Sequence, residues 1–283
     1  MPSTPPVVLS IAGFDPSSGA GVTADVKTIA AHGCYGVACI TALTVQSTAG
    51  VSRIEPTDPG LLNDTLQELA QDVEIVAVKV GMLGSAKVVK AVAEFLARRK
   101  RNNVVLDPVL KASSGNSLVD AQGAKLILER LLPLATIVTP NIDEASAMTG
   151  LAVTKLEQME AAATRLHQLG ARNVVVKGGH LDKAIDLLSF TTVQGAIEQE
   201  VFKAERQRSK STHGTGCAFS SALACHLALG RGLPEAVLLA KAYVTAAIAN
   251  AHPVGRGNGP LHHLYRMHQQ PRRPASTEPE AVH

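Results

Sequence analysis

Residues 75–108 read IVAVKVGMLGSAKVVKAVAEFLARRKRNNVVLDP. The segment begins with an apolar, β-branched run, Ile75–Val80, which predicts a buried strand. Apolar residues then recur at helical spacing over Ala86–Arg99, and a second β-branched run follows at Asn103–Asp107. A strand, a helix and a strand in this order predict a βαβ unit with parallel strands.

The same alternation extends along the chain in both directions. Further strands are predicted at Val7–Ala12, Val37–Val45, Thr136–Thr139 and Asn173–Lys177, and further helices at Ala24–Ala31, Leu61–Ala70, Ala121–Leu132 and Leu156–Leu169. This pattern is typical of a parallel sheet that is covered by helices on both faces. After Lys177 the pattern changes, because Ile185–Phe190 and Glu198–Lys203, separated by Gly195, predict an antiparallel hairpin at one edge of the sheet.

The domain organisation follows from length and from the absence of linkers in the sequence. Two more helices are predicted at Cys217–Leu229 and Glu235–Asn250, and no composition break or internal repeat precedes them. A chain of 283 residues suits one or two domains, and we predict a single domain over residues 1–269. Residues 270–283 are rich in Pro, Arg and Glu and predict a disordered tail.

The composition excludes several classes of protein. A hydrophobic fraction of 46% excludes disordered and fibrous chains. A net charge of +3, without a basic stripe interleaved with aromatic residues, argues against nucleic acid as a partner. The sequence shows neither a signal peptide nor an apolar run of about 18 residues, the length that spans a membrane. The four cysteines form no C-x-x-C pair, so we expect a cytoplasmic protein without disulfides or a membrane partner.

Polar and glycine residues follow the predicted strands, where open parallel sheets bind their ligands. These residues are Gly13–Gly21, Gln46, Gly81-Met82, Asp107-Pro108, Thr139–Glu144 and Lys177–His180. Gly19–Ala24 matches the dinucleotide pattern G-x-G-x-x-A, but its glycines come several residues after the strand and Gln46 stands where a ribose-binding acid belongs. A dinucleotide fold is therefore disfavoured, and the absence of G-x-x-x-x-G-K-[ST] excludes a P-loop enzyme.

The segment Ser211–Cys217, STHGTGC, runs directly into an apolar helix. Its two glycines allow the backbone to turn tightly and to point several N–H groups into one pocket at the helix N-terminus. Such a pocket binds anions and suits a phosphoryl group that carries transition-state charge. A tight turn with no ligand is an equally good interpretation of this segment alone.

Seven segments are similar, in the same order, to the motifs of one enzyme family: Ala12–Gly21, Thr41–Gln46, Gly81–Leu83, Leu106–Val109, Thr139–Ala145, Val176–His180 and Thr212–Cys217. Over Val7–Tyr265 the chain thus resembles the hydroxymethylpyrimidine/phosphomethylpyrimidine kinases of thiamine biosynthesis, within the ribokinase-like superfamily. It departs from their pattern at Lys111–Ser114, where the family often places the lysine closer to the Ser-Gly pair.

The resemblance implies an α/β fold, a three-layer α/β/α sandwich with a mostly parallel sheet and a small antiparallel edge flap. It implies that the γ-phosphoryl of ATP passes to the hydroxymethyl group of a pyrimidine. A second transfer then converts the monophosphate to the diphosphate. Mg²⁺ as cofactor and a homodimer are implied as well.

The resemblance also assigns substrate contacts. Gln46 carries donors and an acceptor that can pair with the edge of an aminopyrimidine, although it can also bind loop backbone. Gly13 would let the ring approach the backbone, while Met82 and Val109 would pack on its faces or simply belong to the core. Asp25 is either a substrate contact or a helix N-terminal acid that the helix dipole favours.

Further residues are assigned to ATP and magnesium. Lys177 ends an apolar strand, where an ammonium needs an anion, either a nucleotide phosphate or a structural partner. Glu144 and Asp107 are expected to hold Mg²⁺ directly or through water. Asn141 is expected to order the phosphates or the Glu144 loop, and Thr215 to bind ATP.

Cys217 is the predicted catalytic base near the reacting hydroxyl, since the family places its cysteine after Gly214, Thr215 and Gly216. A helix N-terminus favours the thiolate, which makes a cysteine base reasonable. The alternative is that Cys217 contributes only its N–H group and a small side chain. His180 and His213 are either acid–base groups or residues that pack against loops.

Two other functions stay open on the sequence. A pyridoxal kinase would share the anion pocket, although Gln46 and Met82 favour a pyrimidine. A pyrimidine-binding regulatory sensor would need no catalytic groups, so the full set of phosphate and magnesium residues argues against it.

Overall fold

Nine strands form one sheet in the computed structural model, which describes residues 4–98, 103–112, 115–179, 184–205 and 209–268. The strands are β1 (Val7–Phe14), β2 (Tyr35–Ser47), β3 (Gly50–Pro56), β4 (Ile75–Val80), β5 (Val104–Leu106), β6 (Ile137–Val138), β7 (Asn173–Gly178), β8 (Ala184–Thr191) and β9 (Ile197–Ala204). Their order across the sheet is β3-β2-β1-β4-β5-β6-β7-β8-β9.

The six central strands, from β2 to β7 across the sheet, are parallel, as the alternating sequence pattern predicts. The hairpin of β8 and β9 adds the predicted antiparallel edge. Strand β3 forms a second antiparallel edge, which the sequence analysis missed. Its sequence, GVSRIEP, shows no clear alternation of apolar and polar residues. Among its residues only Val51 is buried.

Eight α-helices connect and cover these strands in the described residues. They are α1 (Gly21–Ala31), α2 (Pro59–Asp72), α3 (Ala86–Arg98), α4 (Ala121–Leu126), α5 (Ile142–Thr149), α6 (Leu156–Gln168), α7 (Thr215–Ala228) and α8 (Leu233–Ala249). The predicted helix over 121–132 is shorter than expected, since α4 gives way to a π-helical turn at Ile127–Leu131 and a 3-10 turn at Leu132–Leu134. Helix α5 was missed because it has only eight residues and begins immediately after a proline-containing loop.

Helices cover both faces of the sheet, and alternate strand residues point to opposite faces. Leu9 and Val78 face a core that includes α2, α3, α5 and α6. Their neighbours Val8 and Ala77 face a second core that includes α1, α7 and α8. The predicted three-layer α/β/α sandwich is therefore confirmed.

Some sequence predictions fall outside the described residues or change in detail. The tail at 270–283, His180 and Ser113-Ser114 lie outside the described residues. Gln46 lies within β2 instead of after it, because that strand runs on to Ser47. None of the described helices combines the length and apolar character needed to cross a membrane.

Candidate active site

A cleft of about 1610 Å³ lies at the carboxyl ends of the parallel strands, where open α/β sheets bind ligands. It brings together all of the predicted site residues except Asp25. These lining residues are Gly13, Gln46, Met82, Asp107, Val109, Asn141, Glu144, Lys177, Gly214, Thr215, Gly216 and Cys217.

The N-terminus of α7 points backbone N–H groups into this cleft. Its N-cap residue, Gly214, has φ of 83°, and a Cβ there would collide with the carbonyl oxygen of Gly19, so only glycine fits. The first helical bond is Ala218 N–H to Gly214 O at 2.9 Å. The N–H groups of Gly216 and Cys217 therefore have no acceptor within the helix, which makes this end an anion site.

Lys177 lies beside these N–H groups. Its Nζ is 2.9 Å from Asp107 Oδ1, and a Cβ on Gly216 would lie 3.2 Å from Nζ. Burial lowers the pKa of Lys177, but Asp107 and Glu144 more than offset burial and raise it above its ordinary value. The ammonium thus pairs with Asp107 and also faces the anion site.

Glu144 and Asn141 form the N-terminal cap of α5. Asn141 Oδ1 accepts from the Glu144 N–H at 2.8 Å, and Glu144 Oε2 accepts from the Asn141 N–H at 2.8 Å. This capping box shows that Asn141 orders the Glu144 loop, one of its two expected roles. Burial, with a contribution from nearby Asp107, raises the pKa of Glu144 to about 7 although Lys177 opposes it.

The carboxylates of Glu144 and Asp107 fit a hard divalent cation. Both line the cleft, and the raised pKa of Glu144 shows that its negative charge is poorly compensated where it lies. Mg²⁺ binds one or two protein carboxylates and keeps several waters or phosphate oxygens. No cluster of three or more His, Cys, Asp or Glu side chains with metal-binding geometry occurs among the described residues, so the two carboxylates suit Mg²⁺ better than a metal held wholly by protein.

The expectation that the helix N-terminus favours a Cys217 thiolate is wrong, because burial outweighs the helix. Burial raises the pKa of Cys217 to about 11, and Asp25 and Asp107 add to this effect although Lys79 opposes it. The side chain therefore carries its proton at neutral pH. The backbone N–H of Gly21, at the start of α1, favours the thiolate but does not outweigh burial.

Asp25 does not line the cleft, contrary to the sequence prediction. Its carboxylate is fully buried and forms an ion pair with Lys79 Nζ at 2.8 Å. It also accepts hydrogen bonds from Ser10 Oγ at 2.6 Å and Ser221 Oγ at 2.8 Å. With three side chains as donors, this carboxylate has a structural partner set and no exposed edge for a substrate.

Gln46, Met82 and Gly13 mark one end of the cleft. A Cβ on Gly13 would lie 2.9 Å from Met82 Sδ, so the glycine allows β1 and Met82 to pack closely. Gln46 Nε2 lies 3.2 Å from His213 Nε2, and His213 Nε2 lies 2.7 Å from Asp15 Oδ2. His213 therefore makes specific polar contacts at this end and does not merely pack against a loop.

Comparisons with known proteins identify the family of the chain. Residues 15–262 match the family model described as phosphomethylpyrimidine kinase. The chain belongs to this family. It is 47% identical, over 91% of its length, to a thiamine biosynthesis bifunctional protein of Geobacter sulfurreducens, of which it spans 52%. It is 40% identical to the hydroxymethylpyrimidine/phosphomethylpyrimidine kinase of Haemophilus influenzae, over 90% of this chain and 96% of that protein.

Solved structures of two kinds of vitamin kinase resemble this family member. An ADP complex of Bacillus subtilis pyridoxal kinase has a TM-score of 0.84 and 33% identity, covering 94% of this chain and all of that one. Phosphomethylpyrimidine kinase from Clostridium difficile has a TM-score of 0.75 and 36% identity, covering 86% of this chain and 99% of that one. The predicted family and the ribokinase-like fold are confirmed.

Sequence reasoning missed several polar side chains of this phosphomethylpyrimidine kinase family member. Lys241 and Asp186 line the cleft and pair at 2.7 Å, and Lys79 is fully buried and lowers the pKa of Cys217 electrostatically. A charged residue inside an apolar run was the available signal for all three. The same signal identified Lys177, but it does not say which of these charges reach a cavity.

Proposed function

We propose that the chain transfers the γ-phosphoryl of ATP to the hydroxymethyl oxygen of 4-amino-5-hydroxymethyl-2-methylpyrimidine, and then phosphorylates the monophosphate to the diphosphate, in thiamine biosynthesis. In the first step a bond forms between the hydroxyl oxygen and the γ-phosphorus. The bond from that phosphorus to the bridging oxygen breaks, ADP leaves and the hydroxyl loses its proton. The observation that carries this proposal is the arrangement of the α7 N-terminus, Lys177 and Asp107 in the cleft that also holds Gln46.

The residues of this chain supply position and charge, which are the main requirements of phosphoryl transfer. The N–H groups of Gly216 and Cys217 and the ammonium of Lys177 would stabilise the oxygens of the phosphoryl group in flight. Gly214 lets the loop fold, and Thr215, the first residue of α7, lines the cleft where it would contact ATP. These groups are in place before any ligand arrives, so they cost little reorganisation.

Glu144 and Asp107 would hold Mg²⁺, which neutralises charge on the ATP phosphates when it is bound. Asn141 keeps Glu144 oriented through the capping box. At the other end of the cleft Gln46 would pair with the aminopyrimidine edge, and Gly13, Met82 and Val109 would surround the ring. ATP and the alcohol would thus meet at Cys217, which lies between the two ends.

Cys217 is proposed to accept the hydroxyl proton as the reaction proceeds. Because its thiol carries a proton, it must first give that proton to water in the open cleft, and the nearby cation Lys79 favours this loss. Cys217→Ala should lower kcat by about 10²–10⁴-fold, the usual range for a lost general base, while Cys217→Asp keeps substantial turnover. Near-normal kcat in Cys217→Ala would show that the N–H groups suffice.

Pyridoxal is the second candidate substrate, because several similar solved structures are pyridoxal kinases. Gln46 favours the pyrimidine, since its carboxamide matches an amine beside a ring nitrogen. A sensor without activity is disfavoured by family membership and by the preassembled anion site.

Coupled ADP release by the purified full chain tests the proposal. The substrates are hydroxymethylpyrimidine, its monophosphate and pyridoxal, each with ATP and Mg²⁺. We expect higher kcat/KM for both pyrimidines than for pyridoxal. A preference for pyridoxal would establish the second candidate, and no ADP release with any of the three would contradict a kinase function.

We also propose that the chain forms one catalytic domain, since all described strands belong to one sheet, and that it acts in the cytoplasm.

We propose further that the chain forms a homodimer. Support for the homodimer comes from exposed apolar side chains on β2: Tyr35 is 58%, Leu43 54% and Val45 58% exposed. Sedimentation of wild type and Leu43→Glu tests this, because a dimer that uses this face should dissociate in the variant. A monomeric wild type would contradict it.

A further inference from the structure

The carboxylate of Asp15 is saturated with donors. Its Oδ1 accepts from the N–H of Ser17 at 2.8 Å and from Ser17 Oγ at 2.7 Å, while its Oδ2 accepts from the N–H of Ala20 at 2.9 Å. The fourth contact is His213 Nε2 at 2.7 Å from Oδ2. Burial raises the pKa of Asp15, but these hydrogen bonds outweigh burial and keep it below its ordinary value. An ionised carboxylate only accepts, so His213 Nε2 must carry the proton and donate it.

The imidazole ring is also fixed sterically. A Cβ on Gly19 would collide with the ring of His213, so this loop lies directly against it. The backbone N–H of His213 donates to Gly259 O at 3.1 Å. The ring position and the proton on Nε2 are therefore both set by the protein itself.

The hydrogen on His213 Nε2 conflicts with the amide nitrogen of Gln46 that faces it. Gln46 Nε2 lies 3.2 Å from His213 Nε2, which would place an NH₂ group against an N–H group. Gln46 Oε1 lies 3.1 Å from Thr44 Oγ1, but Thr44 Oγ1 also lies 2.8 Å from Phe14 O. A carbonyl oxygen only accepts, so the single Thr44 proton goes to Phe14 and its hydroxyl lone pairs face Gln46.

Both conflicts disappear when the carboxamide turns by 180°. The nitrogen and oxygen of a carboxamide have almost the same shape, and their hydrogen-bond partners decide the orientation. After the turn the NH₂ group faces the lone pairs of Thr44, and the oxygen faces the Nε2–H of His213. That single N–H donates mainly to Asp15 Oδ2 at 2.7 Å, and the Gln46 oxygen at 3.2 Å shares it as the longer branch of a three-centre bond. Contacts on opposite sides of Gln46 thus favour the same orientation.

We propose that His213, held by Asp15, is the positioning residue that orients the Gln46 carboxamide and so determines substrate specificity. This inference rests on the proposed function. It leaves Gln46 with one N–H and one oxygen lone pair for a ligand, in a fixed order across the cleft. An amine beside a ring nitrogen, as in an aminopyrimidine, matches that order, whereas a ring without the amine leaves the oxygen unpaired.

Substitutions at His213 separate positioning from loop packing. His213→Leu removes the donor but keeps the volume, and His213→Gln keeps an N–H near the position of Nε2. Leaving a buried polar edge without its partner raises KM for the pyrimidine roughly 10- to 100-fold in His213→Leu, with little change for ATP. His213→Gln should recover most of this loss, and His252→Leu is the control at an exposed histidine.

A double-mutant cycle with Gln46→Leu decides whether His213 acts through Gln46. If it does, adding His213→Leu to Gln46→Leu raises the pyrimidine KM further by less than about twofold. Equal effects of His213→Leu in both backgrounds would overturn the proposal, because His213 would then act independently of Gln46. Equal KM for His213→Leu and His213→Gln would overturn it too, since the donor would be irrelevant.

NMR of the wild-type chain tests the orientation without turnover. In ¹⁵N spectra of the imidazole we expect a protonated Nε2 for His213, and NOEs from the Gln46 amide protons to the Thr44 methyl group. A bare Nε2, or amide protons that contact the His213 ring instead of Thr44, would overturn the proposal. This result stands even if the chain phosphorylates no pyrimidine, so failure of the proposed function and failure of the positioning role are distinguishable.

Discussion

Two lysine–aspartate pairs lie at the same face of the sheet but differ in access to the cleft. Lys79, near the end of β4, and Lys177, near the end of β7, both interrupt apolar parallel strands. Lys79 Nζ contacts both oxygens of Asp25, at 2.9 and 2.8 Å, and neither side chain has any exposed area. Lys177 contacts one oxygen of Asp107, and its side chain is 13% exposed in the cleft.

The difference shows how the same charge pair serves structure in one place and chemistry in another. Asp25 is fully occupied by Lys79, Ser10 and Ser221, so that pair has no capacity for a ligand. Lys177 bonds only one oxygen of Asp107. Its other ammonium hydrogens are available to an anion that binds at the N-terminus of α7. Access to the cleft, and not the strength of the pairing, separates the two roles.

The largest expected effect is on the stability that the fully buried Lys79–Asp25 pair provides. Lys79→Met leaves the Asp25 charge buried without its partner, which should cost about 3–5 kcal/mol in free energy of unfolding. Urea denaturation of wild type, Lys79→Met and the exposed control Lys90→Met measures it. A loss below about 1 kcal/mol, the range of a surface pair, would show that the Asp25 charge is not buried as described.

The next largest effect is on catalysis at the Lys177–Asp107 pair, which borders the cleft. Lys177→Met should lower kcat by about 10²–10³-fold, as when one donor to a transition-state oxyanion is removed. Its loss in stability should be smaller than that of Lys79→Met. The Lys177 side chain is 13% exposed at the cleft, so its removal lets cleft water reach the buried Asp107 carboxylate. The two variants are compared by turnover and by urea denaturation, and equal stability losses would contradict the distinction between the pairs.

A smaller effect is expected at Glu144, a carboxylate of the cleft that would hold Mg²⁺. Glu144→Gln keeps the shape of the capping box but removes the charge, so half-maximal activity should need roughly 10–100-fold more Mg²⁺. Initial rates over a Mg²⁺ series measure this, with the exposed Glu157→Gln as control. A variant whose Mg²⁺ dependence matches wild type would leave Asp107 as the main candidate.

The smallest expected effect is on the pH dependence of stability, and it comes from the buried side chain of His263. Burial, with nearby Lys27, lowers the pKa of His263 from 6.5 to about 4, so the folded chain prefers the neutral ring. The stability from this ring is complete above pH 6.5 and declines as the pH falls toward 4. Between pH 6.5 and 5 the loss should be about 1–2 kcal/mol in free energy of unfolding.

The variant His263→Asn isolates that contribution. Asn keeps a polar atom near the position of Nδ1, which lies 3.1 Å from Thr28 Oγ1, but cannot gain a proton. Its stability should fall less than that of wild type between pH 6.5 and 5, and the exposed His252→Asn should behave as wild type. Identical pH profiles for His263→Asn and wild type would exclude His263 as a source of acid sensitivity.

The sequence predicted the central sheet and most residues of the cleft for one physical reason. Parallel strands place their carboxyl ends at one edge. Residues at those ends, such as Lys177, or soon after them, such as Glu144, therefore come together wherever they lie in the chain. The motif resemblance then supplied their roles.

The remaining features depend on contacts between distant segments. Asp25 lies 54 residues from Lys79, and Gln46 lies 167 residues from His213, so neither pairing could be derived from local pattern. Strand β3 was missed because an edge strand with one buried residue lacks apolar alternation. The pKa of Cys217 depends on burial, which outweighs the helix N-terminus that the sequence shows.

The most direct test of the central claim is to follow the phosphorylated products by ³¹P NMR while the wild-type chain, ATP and Mg²⁺ act on hydroxymethylpyrimidine. We expect a phosphate ester of the hydroxymethyl group first, then its diphosphate, with ADP formed in equal amount to the bonds made. Lys177→Met should form both products far more slowly. Release of inorganic phosphate without any ester, or the same product rates in Lys177→Met as in wild type, would contradict the account.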